Sequence, residues 1–391
     1  MLPAAELAHE LDELASRHLR RFRRTIGSVQ GPEVELDGRR VLCLCSNNYL
    51  GLAGDARLIE ASIAALRESG AGSGASPLIS GHMAPHAALE REIADWLGCE
   101  AALLFGSGYH ANIGVLAALL RAGDEVLSDE LNHASLIDGC RLSRAEIRIF
   151  RHRDVDDLAR QLARPSRARR RLIVSDSVFS MDGDLAAVRE MAELAERHGA
   201  WLMLDEAHAV GVFGDDGAGL AAALGAGARV TVRMGTLGKA LGGYGAFVAG
   251  SRELIDVLVN RARAYVYSTA LPPAVVGAAR AAVAIARSEP ERRAALWRNA
   301  RRLHERLAGA GIAMQPLESP IVPLMVGDAA HALRVAERAL ENGVLAPAIR
   351  PPTVPPGTAR LRLTPLATHT EEQIDRAADV LIRAVEESRT A

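Results

Sequence analysis

The sequence has almost no lysine. Of its 46 basic residues, 45 are arginine, and Lys239 is the only lysine. An arginine side chain stays protonated in proteins, whereas a buried lysine amine can lose its proton and attack a carbonyl group. A chain that uses arginine at every other basic position therefore indicates a chemical task for Lys239. The alternative is a surface lysine that escaped a strong bias toward arginine.

Other scarce features exclude whole classes of protein. The four cysteines form no C-x-x-C pair, so we expect free thiols and neither a disulfide framework nor a metal site. No apolar run reaches the roughly 20 residues that a membrane-spanning helix needs. A formal charge of -2, without long blocks of one sign, does not support a nucleic-acid partner. The N-terminal segment includes acidic residues, unlike a targeting peptide, so we predict a cytoplasmic protein.

The length and the apolar content predict more than one domain. The chain has 391 residues, of which 49% are hydrophobic, enough for two lobes. We predict a helix and hairpin segment at residues 1–45, with Asp37 and Gly38 in the hairpin turn. A large domain is expected at 46–285 and a small α+β domain at 286–391. One long helix, at about residues 273–307, is expected to link the two.

Strands and helices alternate regularly in the large domain. Three apolar strands begin at Leu172, Leu202 and Val230, about thirty residues apart, which is the period of a βαβ unit. We therefore predict an α/β fold with a mostly parallel, doubly wound sheet. Ligands of such sheets gather at the carboxyl ends of the strands. Polar clusters follow all three strands, at residues 175–180, 205–208 and 236–239.

The residues around Lys239 favour a reactive amine. The lysine follows a β-branched strand and precedes Gly242, Gly243 and Gly245, so the backbone can approach a flat ligand closely. The hypothesis is a lysine that forms a Schiff base.

Asp205, in LMLDEAH, allows two interpretations. One is the acidic box of a DEAH-type nucleotide hydrolase, which also needs a phosphate loop. The nearest candidate loop, RMGTLGKA, has Arg233 in place of its first glycine and Ala240 in place of its hydroxyl residue. In the other interpretation, Asp205 faces the ring nitrogen of pyridoxal phosphate (PLP) and His208 bonds the phenolic oxygen of the ring. A non-catalytic scaffold of the same fold is the third alternative.

Further polar residues are candidates for the same site. The turn GSGYHANIG at residues 106–114 opens a helix whose free amides favour an anion, and Thr236 is placed to bind the same phosphate. His133 has no metal-ligand companion, so it is either structural or stacks on a flat cofactor. In RLRLT, Arg360 and Arg362 share one face of a strand, either as a solvated edge or as a carboxylate receptor. The glycine-rich loop at residues 70–86 is long enough to be functional.

The motifs together resemble the α-oxoamine synthases, PLP enzymes of fold type I. They are SNNYLGL, GSGYHAN, NHASLIDG, DSVFSMDGD, LDEAHAVGVFG, TLGKALGGYG, YSTALPP and IRPPTVPPGTARLRLT, in family order over nearly the whole chain. The resemblance implies a homodimer with shared sites and a decarboxylative condensation of an amino acid with an acyl thioester. The last motif is similar to the biotin-pathway members, which join L-alanine to a pimeloyl thioester carried by CoA or a carrier protein. Members that use glycine with a short acyl-CoA are the alternative.

The resemblance also implies roles for individual residues. Lys239 would form the imine with PLP and later transfer a proton, Asp205 would face the pyridinium nitrogen, and His133 would stack over the ring and contact substrate. The other implied cofactor contacts are Gly108, Tyr109, Ser180, His208 and Thr236, joined by Ser268 and Thr269 of the partner subunit. The other implied substrate contacts are Asn47, Thr353 and Arg362, with Arg21 or, in its place, Arg20 at the acyl substrate.

Overall fold

The structure, a computed structural model, describes residues 3–389 of the chain. The described residues form two compact units. The first runs through Ser46 and also contains residues 181–183 and the chain from Ala295 onward. The second contains the rest, Asn47–Ser180 and Asp184–Ala294. The segments that we predicted separately, 1–45 and 286–391, therefore lie largely within one unit, and the division falls nine residues later than the predicted boundary at 285.

The described residues form thirteen strands and fourteen α-helices, numbered here along the chain. The strands are β1 (Glu33–Leu36), β2 (Arg39–Cys43), β3 (Ala101–Phe105), β4 (Glu125–Asp129), β5 (Glu146–Phe150), β6 (Arg171–Asp176), β7 (Trp201–Asp205), β8 (Val232–Thr236), β9 (Ala246–Gly250), β10 (Val322–Gly327), β11 (Val344–Leu345), β12 (Ala348–Ile349) and β13 (Ala359–Leu363). The helices are α1 (Pro3–Ser16), α2 (Ala56–Ser69), α3 (Ala84–Leu97), α4 (Gly108–Leu119), α5 (Ala134–Ser143), α6 (Val155–Leu162), α7 (Val188–Arg197), α8 (Leu220–Ala223), α9 (Arg252–Arg261), α10 (Arg263–Val266), α11 (Pro273–Ser288), α12 (Pro290–Gly309), α13 (Ala329–Glu341) and α14 (Glu371–Arg389).

The second unit is built on a sheet of seven strands in the order β3-β9-β8-β7-β6-β4-β5. The strands β6, β7 and β8 pair in parallel, as the thirty-residue spacing predicts. Helices cover such sheets on both faces, and every residue of β3, β4 and β9 is buried. The α/β fold with a mostly parallel sheet is confirmed.

One strand of this sheet is absent from the sequence prediction. The segment AFVAG forms β9, which runs antiparallel to β3 on one side and to β8 on the other. Its five residues are small or apolar and stand between glycines. The pattern is compatible with a buried strand, but nothing local indicates its direction.

The prediction of one linking helix over about residues 273–307 is wrong in one respect, because two helices occupy this segment. α11 ends at Ser288 and α12 begins at Pro290, with Glu289 between them at φ -115° and ψ 72°. A proline ring disfavours the helical conformation of the residue before it, and proline has no N–H for the helix. Pro290 therefore starts a new helix.

The first unit contains two small sheets, in the orders β1-β2-β11 and β10-β13-β12. Asp37 and Gly38 join β1 to β2 at φ 50° and 74°, which confirms the predicted two-residue hairpin turn. β13 is the central strand of its sheet, and Arg360 and Arg362 on it are only 3% and 7% exposed. The interpretation of RLRLT as a solvated edge is therefore wrong.

A half-buried histidine joins two turns of the second unit. The ring nitrogens of His152 lie 2.9 Å from Asp129 Oδ1 and 2.9 Å from Asp184 Oδ2. Burial lowers the pKa of His152, but these two carboxylates outweigh burial and raise it to about 9. The ring is therefore charged at neutral pH.

Among the described residues, no helix is long and apolar enough to cross a membrane.

Candidate active site

The ends of the parallel strands bring Lys239 and His208 together. Lys239 follows β8 and His208 follows β7, and Lys239 Nζ lies 2.9 Å from His208 Nε2. His208 is only 6% exposed, and its Nδ1 lies 2.8 Å from the hydroxyl of Tyr49. The same hydroxyl donates a long hydrogen bond, of 3.4 Å, to Asn47 Oδ1. The only lysine of the chain thus lies at one end of a series of hydrogen-bonded polar side chains in the second unit.

Asp205, the last residue of β7, is buried and hydrogen-bonded through both side-chain oxygens. It is 4% exposed, and both of its oxygens accept hydrogen bonds from amides. Ala207 N donates to Oδ1 at 2.9 Å, and Asn112 Nδ2 donates to Oδ2 at 2.8 Å. Hydrogen bonds to the charged form stabilise it, so the carboxylate can face a cationic ring nitrogen.

A second buried acid, Asp176, ends the neighbouring strand β6. Desolvation, reinforced by the nearby charge of Asp205, raises its pKa well above the usual value for an aspartate. Burial thus disfavours the charged form of Asp176. Asp176 Oδ2 accepts a hydrogen bond of 2.6 Å from the main-chain N–H of His133.

His133 caps the N-terminus of α5. Its Nδ1 accepts from the N–H of Ser135 at 3.3 Å and lies 2.7 Å from the Ser135 hydroxyl. The remainder of the residue is exposed, so one face of the ring is accessible to a planar ligand. Desolvation of the ring, with Lys239 nearby, lowers the pKa of His133 although Asp205 opposes this effect. The ring is therefore neutral at physiological pH.

The anion cradle predicted for residues 106–114 lies at the start of α4. Ser107 caps this helix by accepting from His110 N at 3.2 Å, and the amides of the first turn have no partner within the helix. Gly108 packs against Thr236, so that a Cβ on this glycine would lie 2.9 Å from Thr236 Cγ2. Tyr109 is exposed, and its hydroxyl donates to Asp138 at 2.6 Å. Helix amides and a hydroxyl residue are thus adjacent, as a phosphate requires.

These residues fit PLP. The amine of Lys239, the carboxylate of Asp205 and the open face of His133 match its aldehyde, ring nitrogen and ring, and the cradle at Gly108 matches its phosphate. Ser180 lies partly exposed in the turn after β6, within the same unit. In the part of the chain that the structure describes, no group of three or more histidine, cysteine or acidic side chains is placed to bind a metal ion.

Ser268 and Thr269 follow α10 in a segment that is tied to the glycine-rich loop. The carbonyl of Leu271 accepts hydrogen bonds from Ser73 Oγ at 2.6 Å and from His86 Nε2 at 2.8 Å. Both donors are buried, so the segment has a defined position within its own chain. Its contact with the phosphate of a partner subunit stays a prediction.

The other predicted substrate residues lie in the first unit. Arg21 Nη2 donates to Thr353 Oγ1 at 3.2 Å, which brings together two residues 332 positions apart. The carbonyl of Arg20 accepts from Arg350, while its guanidinium lies over the ring of Phe22. Arg21 therefore contacts Thr353, and Arg20 does not. The approach of these residues and of the buried Arg362 to the cofactor residues stays a prediction.

The sequence analysis missed four residues of the network around Lys239 and Asp205: Tyr49, Asn112, Ser135 and Asp176. Each lies within a motif of the family resemblance, namely SNNYLGL, GSGYHAN, NHASLIDG and DSVFSMDGD in turn. Their positions within these motifs could therefore have identified the four residues as candidates for the site. Tyr49 and Asn112 each bond a residue at least 93 positions away, and no local pattern indicates those contacts.

The fold and the site define a PLP-dependent enzyme of fold type I. The model of the aminotransferase class I and II family matches residues 39–381. A protein from Anaeromyxobacter dehalogenans, named 8-amino-7-oxononanoate synthase, is 54% identical over 366 residues, with 94% of this chain and 92% of the relative covered. A protein of the same name from Methylococcus capsulatus is 50% identical and covers 98% of each chain. The solved structure of a serine palmitoyltransferase from S. paucimobilis, which holds a PLP–myriocin aldimine, has a TM-score of 0.94 at 32% identity and covers 100% of both chains.

The chain therefore belongs to the class I and II aminotransferase family, among its α-oxoamine synthase members, and is a PLP-dependent acyltransferase. This result excludes the DEAH-type hydrolase and the non-catalytic scaffold. The interpretation of Lys239 as a stray surface lysine is not supported either, because the side chain is half-buried against His208.

Proposed function

We propose that this chain condenses L-alanine with a pimeloyl thioester, releasing CO₂ and the free thiol and giving 8-amino-7-oxononanoate for biotin synthesis. The observation that carries the proposal is identity of about half of all residues, over nearly the full length, to relatives that bear this enzyme's name. The proposal also includes a cytoplasmic location and a homodimer in which Ser268 and Thr269 of the partner subunit complete the phosphate site.

The residues of the second unit have different roles in this reaction. When bound, PLP supplies an aldehyde for the Lys239 amine and a ring that accepts the electrons of the substrate Cα. Asp205 keeps the ring nitrogen protonated, so the ring stays a strong electron acceptor. The amine of Lys239 takes a proton from Cα and returns one after CO₂ has left. His208 orients that amine, and the helix amides near Gly108 bind the phosphate.

The residues of the first unit act on the substrates. The guanidinium of Arg362, on the rigid central strand β13, binds the carboxylate of the amino acid, a pairing that favours a planar bidentate donor. Arg21 binds the acyl substrate. Thr353, which accepts a hydrogen bond from Arg21, and Asn47 are further substrate contacts. His133 stacks on the cofactor and contacts the substrate.

A thiol-release assay tests the choice of substrates. The purified enzyme is supplied with PLP and with pimeloyl, succinyl or acetyl thioesters, each combined with L-alanine or glycine. We expect the highest kcat/KM for pimeloyl thioester with L-alanine. A preference for glycine with a short acyl-CoA would replace the substrate assignment by the alternative and leave the roles of Lys239 and Asp205 in place. Comparison of CoA with carrier-protein thioesters identifies the carrier.

The role of Lys239 is tested by the variants Lys239→Ala and Lys239→Arg. Both remove an amine that can lose its proton, and Lys239→Arg keeps the positive charge. We expect turnover to fall at least about a thousandfold in both, since attachment and proton transfer are lost together. Borohydride reduction followed by peptide mass spectrometry should find the cofactor on residue 239 in the wild-type protein only. Normal product formation by either variant would contradict the assignment.

A further inference from the structure

A buried chain of hydrogen bonds connects Asp205 with the ring of His133. Asn112 Nδ2 donates to Asp205 Oδ2 at 2.8 Å and also to Ser135 Oγ at 2.8 Å. Ser135 Oγ in turn lies 2.7 Å from His133 Nδ1. Asn112, Ser135 and Asp205 are each less than 5% exposed, so water does not compete for these bonds. All four residues lie in the second unit.

The side-chain amide of Asn112 has only one possible orientation. If it were flipped, its carbonyl oxygen would face the Asp205 carboxylate at 2.8 Å, and the two acceptors would repel each other. In the observed orientation, both hydrogens of Nδ2 are used, while the buried Oδ1 has no partner among the described residues. A buried amide with an unused acceptor is costly, so the site needs the two donors.

This orientation determines where the hydroxyl hydrogen of Ser135 points. Ser135 Oγ accepts from Asn112, and the only acceptor that the described residues place within its reach is His133 Nδ1. The main-chain N–H of Ser135 points to the same nitrogen at 3.3 Å. Two donors therefore converge on Nδ1, which leaves no room for a proton there. A neutral imidazole with an unprotonated Nδ1 carries its hydrogen on Nε2.

We propose that Asn112 and Ser135 are positioning residues that hold His133 as the neutral Nε2–H tautomer, so that the ring presents a donor to an oxygen of the bound substrate. This inference rests on the proposed role of His133 at the cofactor. The main chain of His133 is fixed independently by Asp176, at 2.6 Å. The ring is thus oriented from two sides by groups that do not react.

The charges around His133 support a neutral ring. Burial and the amine of Lys239 lower its pKa, whereas Asp205 on β7 and Asp138 on α5 act in the opposite direction, and the net change is downward. Asp176 on β6 accepts a hydrogen bond from the His133 main chain, and desolvation raises its pKa. The hydrogen-bonded arrangement and the electrostatics therefore favour the same protonation state.

A purely structural alternative exists, because His133 is also the N-cap of α5. Capping needs only the bond from the main-chain N–H of Ser135, which any residue at position 135 supplies. The alternative therefore predicts that Ser135→Ala leaves the ring unchanged. The proposal predicts that loss of the hydroxyl frees the ring, because one weak bond of 3.3 Å remains to hold Nδ1.

The test uses the PLP-loaded enzyme labelled with ¹⁵N-histidine. Long-range ¹H–¹⁵N spectra distinguish the two tautomers and the charged ring, and the signals of His133 among the 12 histidines are assigned by their loss in His133→Asn. We expect the wild-type ring to be the Nε2–H tautomer from pH 6 to 9. In Ser135→Ala and Asn112→Leu we expect a mixture of tautomers and a pKa shifted up toward about 6.5.

Two further variants separate this role from folding. Ser135→Thr keeps the hydroxyl and should restore the wild-type spectrum. Ser143→Ala is the matched control, since Ser143 is a buried serine on the same helix whose hydroxyl bonds the carbonyl of Cys140 instead. In Ser135→Ala we expect kcat to fall about 10- to 100-fold, as a displaced catalytic group does, with PLP affinity unchanged. Circular dichroism checks that each variant is folded.

Two results would overturn the inference. One is a wild-type tautomer and titration of His133 in Ser135→Ala, and the other is an Nδ1–H tautomer in the wild-type enzyme. The spectra require no substrate, so they test the inference even if the enzyme rejects L-alanine or pimeloyl thioesters. In that case the proposed substrates fail while the arrangement around His133 stands.

Discussion

The pair of Arg233 and Glu206 is expected to be one of the strongest single determinants of stability in the second unit. Both side chains are 1% exposed, and Arg233 Nε lies 2.9 Å from Glu206 Oε2. Arg233 also donates to the carbonyls of Leu97 and Ala218, and Glu206 Oε1 accepts from the amide of Ala221 at 2.8 Å. Every charge of the pair is therefore matched by hydrogen bonds in a site without water.

Removing one partner should be costly because it leaves the other charge buried. For Arg233→Met, which keeps most of the volume, we expect a loss of about 3–5 kcal/mol in the free energy of unfolding. The double variant Arg233→Met with Glu206→Gln removes both charges and keeps an acceptor for Ala221. It should therefore be more stable than Arg233→Met alone, by about 1–3 kcal/mol.

The matched control is an exposed ion pair of the same type. Arg229 Nη2 lies 2.6 Å from Glu196 Oε2, but the two side chains are 32% and 56% exposed. Arg229→Met should lower the free energy of unfolding far less than Arg233→Met does, because water screens the pair. Urea unfolding at constant PLP concentration, followed by tryptophan fluorescence, compares the variants, since Trp96 and Trp201 lie in the second unit. Equal losses in the free energy of unfolding for Arg233→Met and Arg229→Met would refute the argument. A double variant no more stable than Arg233→Met would also refute it.

Two further predictions follow from the described contacts. The charged ring of His152 stabilises the fold below pH 6.5, and this contribution of about 1–2 kcal/mol, discounted for partial exposure, should be lost as the pH rises through 9. Urea unfolding from pH 6 to 9.5 should show this decline in the wild-type enzyme and not in His152→Gln. Gly108→Ala should weaken PLP binding at least about tenfold in a fluorescence titration, because its Cβ would lie 2.9 Å from Thr236 Cγ2, whereas Gly72→Ala, where a Cβ meets nothing within 4 Å, should not. Equal affinities in the two glycine variants would show that the cradle tolerates a methyl group.

Two buried aspartates end neighbouring strands and differ in their hydrogen bonds. Asp205 accepts from two amides, whereas Asp176 accepts from the main-chain N–H of His133. Desolvation and the nearby Asp205 raise the pKa of Asp176. Both residues are 4% exposed, so exposure does not distinguish them.

Much of the fold follows from local patterns. The thirty-residue spacing of the three apolar strands implies parallel β6, β7 and β8, because such strands need a crossover helix between them. The same spacing places residues 205 and 239 at the carboxyl edge of the sheet. The solitary lysine predicted the reactive amine because none of the 45 arginines can lose its proton under ordinary conditions. These features depend on periodicity, on turn residues and on the chemistry of single side chains.

Other features required the tertiary structure. The antiparallel direction of β9 and the burial of Arg360 depend on which elements pack together. The bonds between Tyr49 and His208 and between Asn112 and Asp205 join residues that are 159 and 93 positions apart. A local sequence pattern reflects the preferences of neighbouring residues, whereas these bonds exist only after the sheet and its helices have assembled. The sequence by itself thus determined the class of fold and predicted the reactive residues, and only the tertiary structure decided which donors contact them.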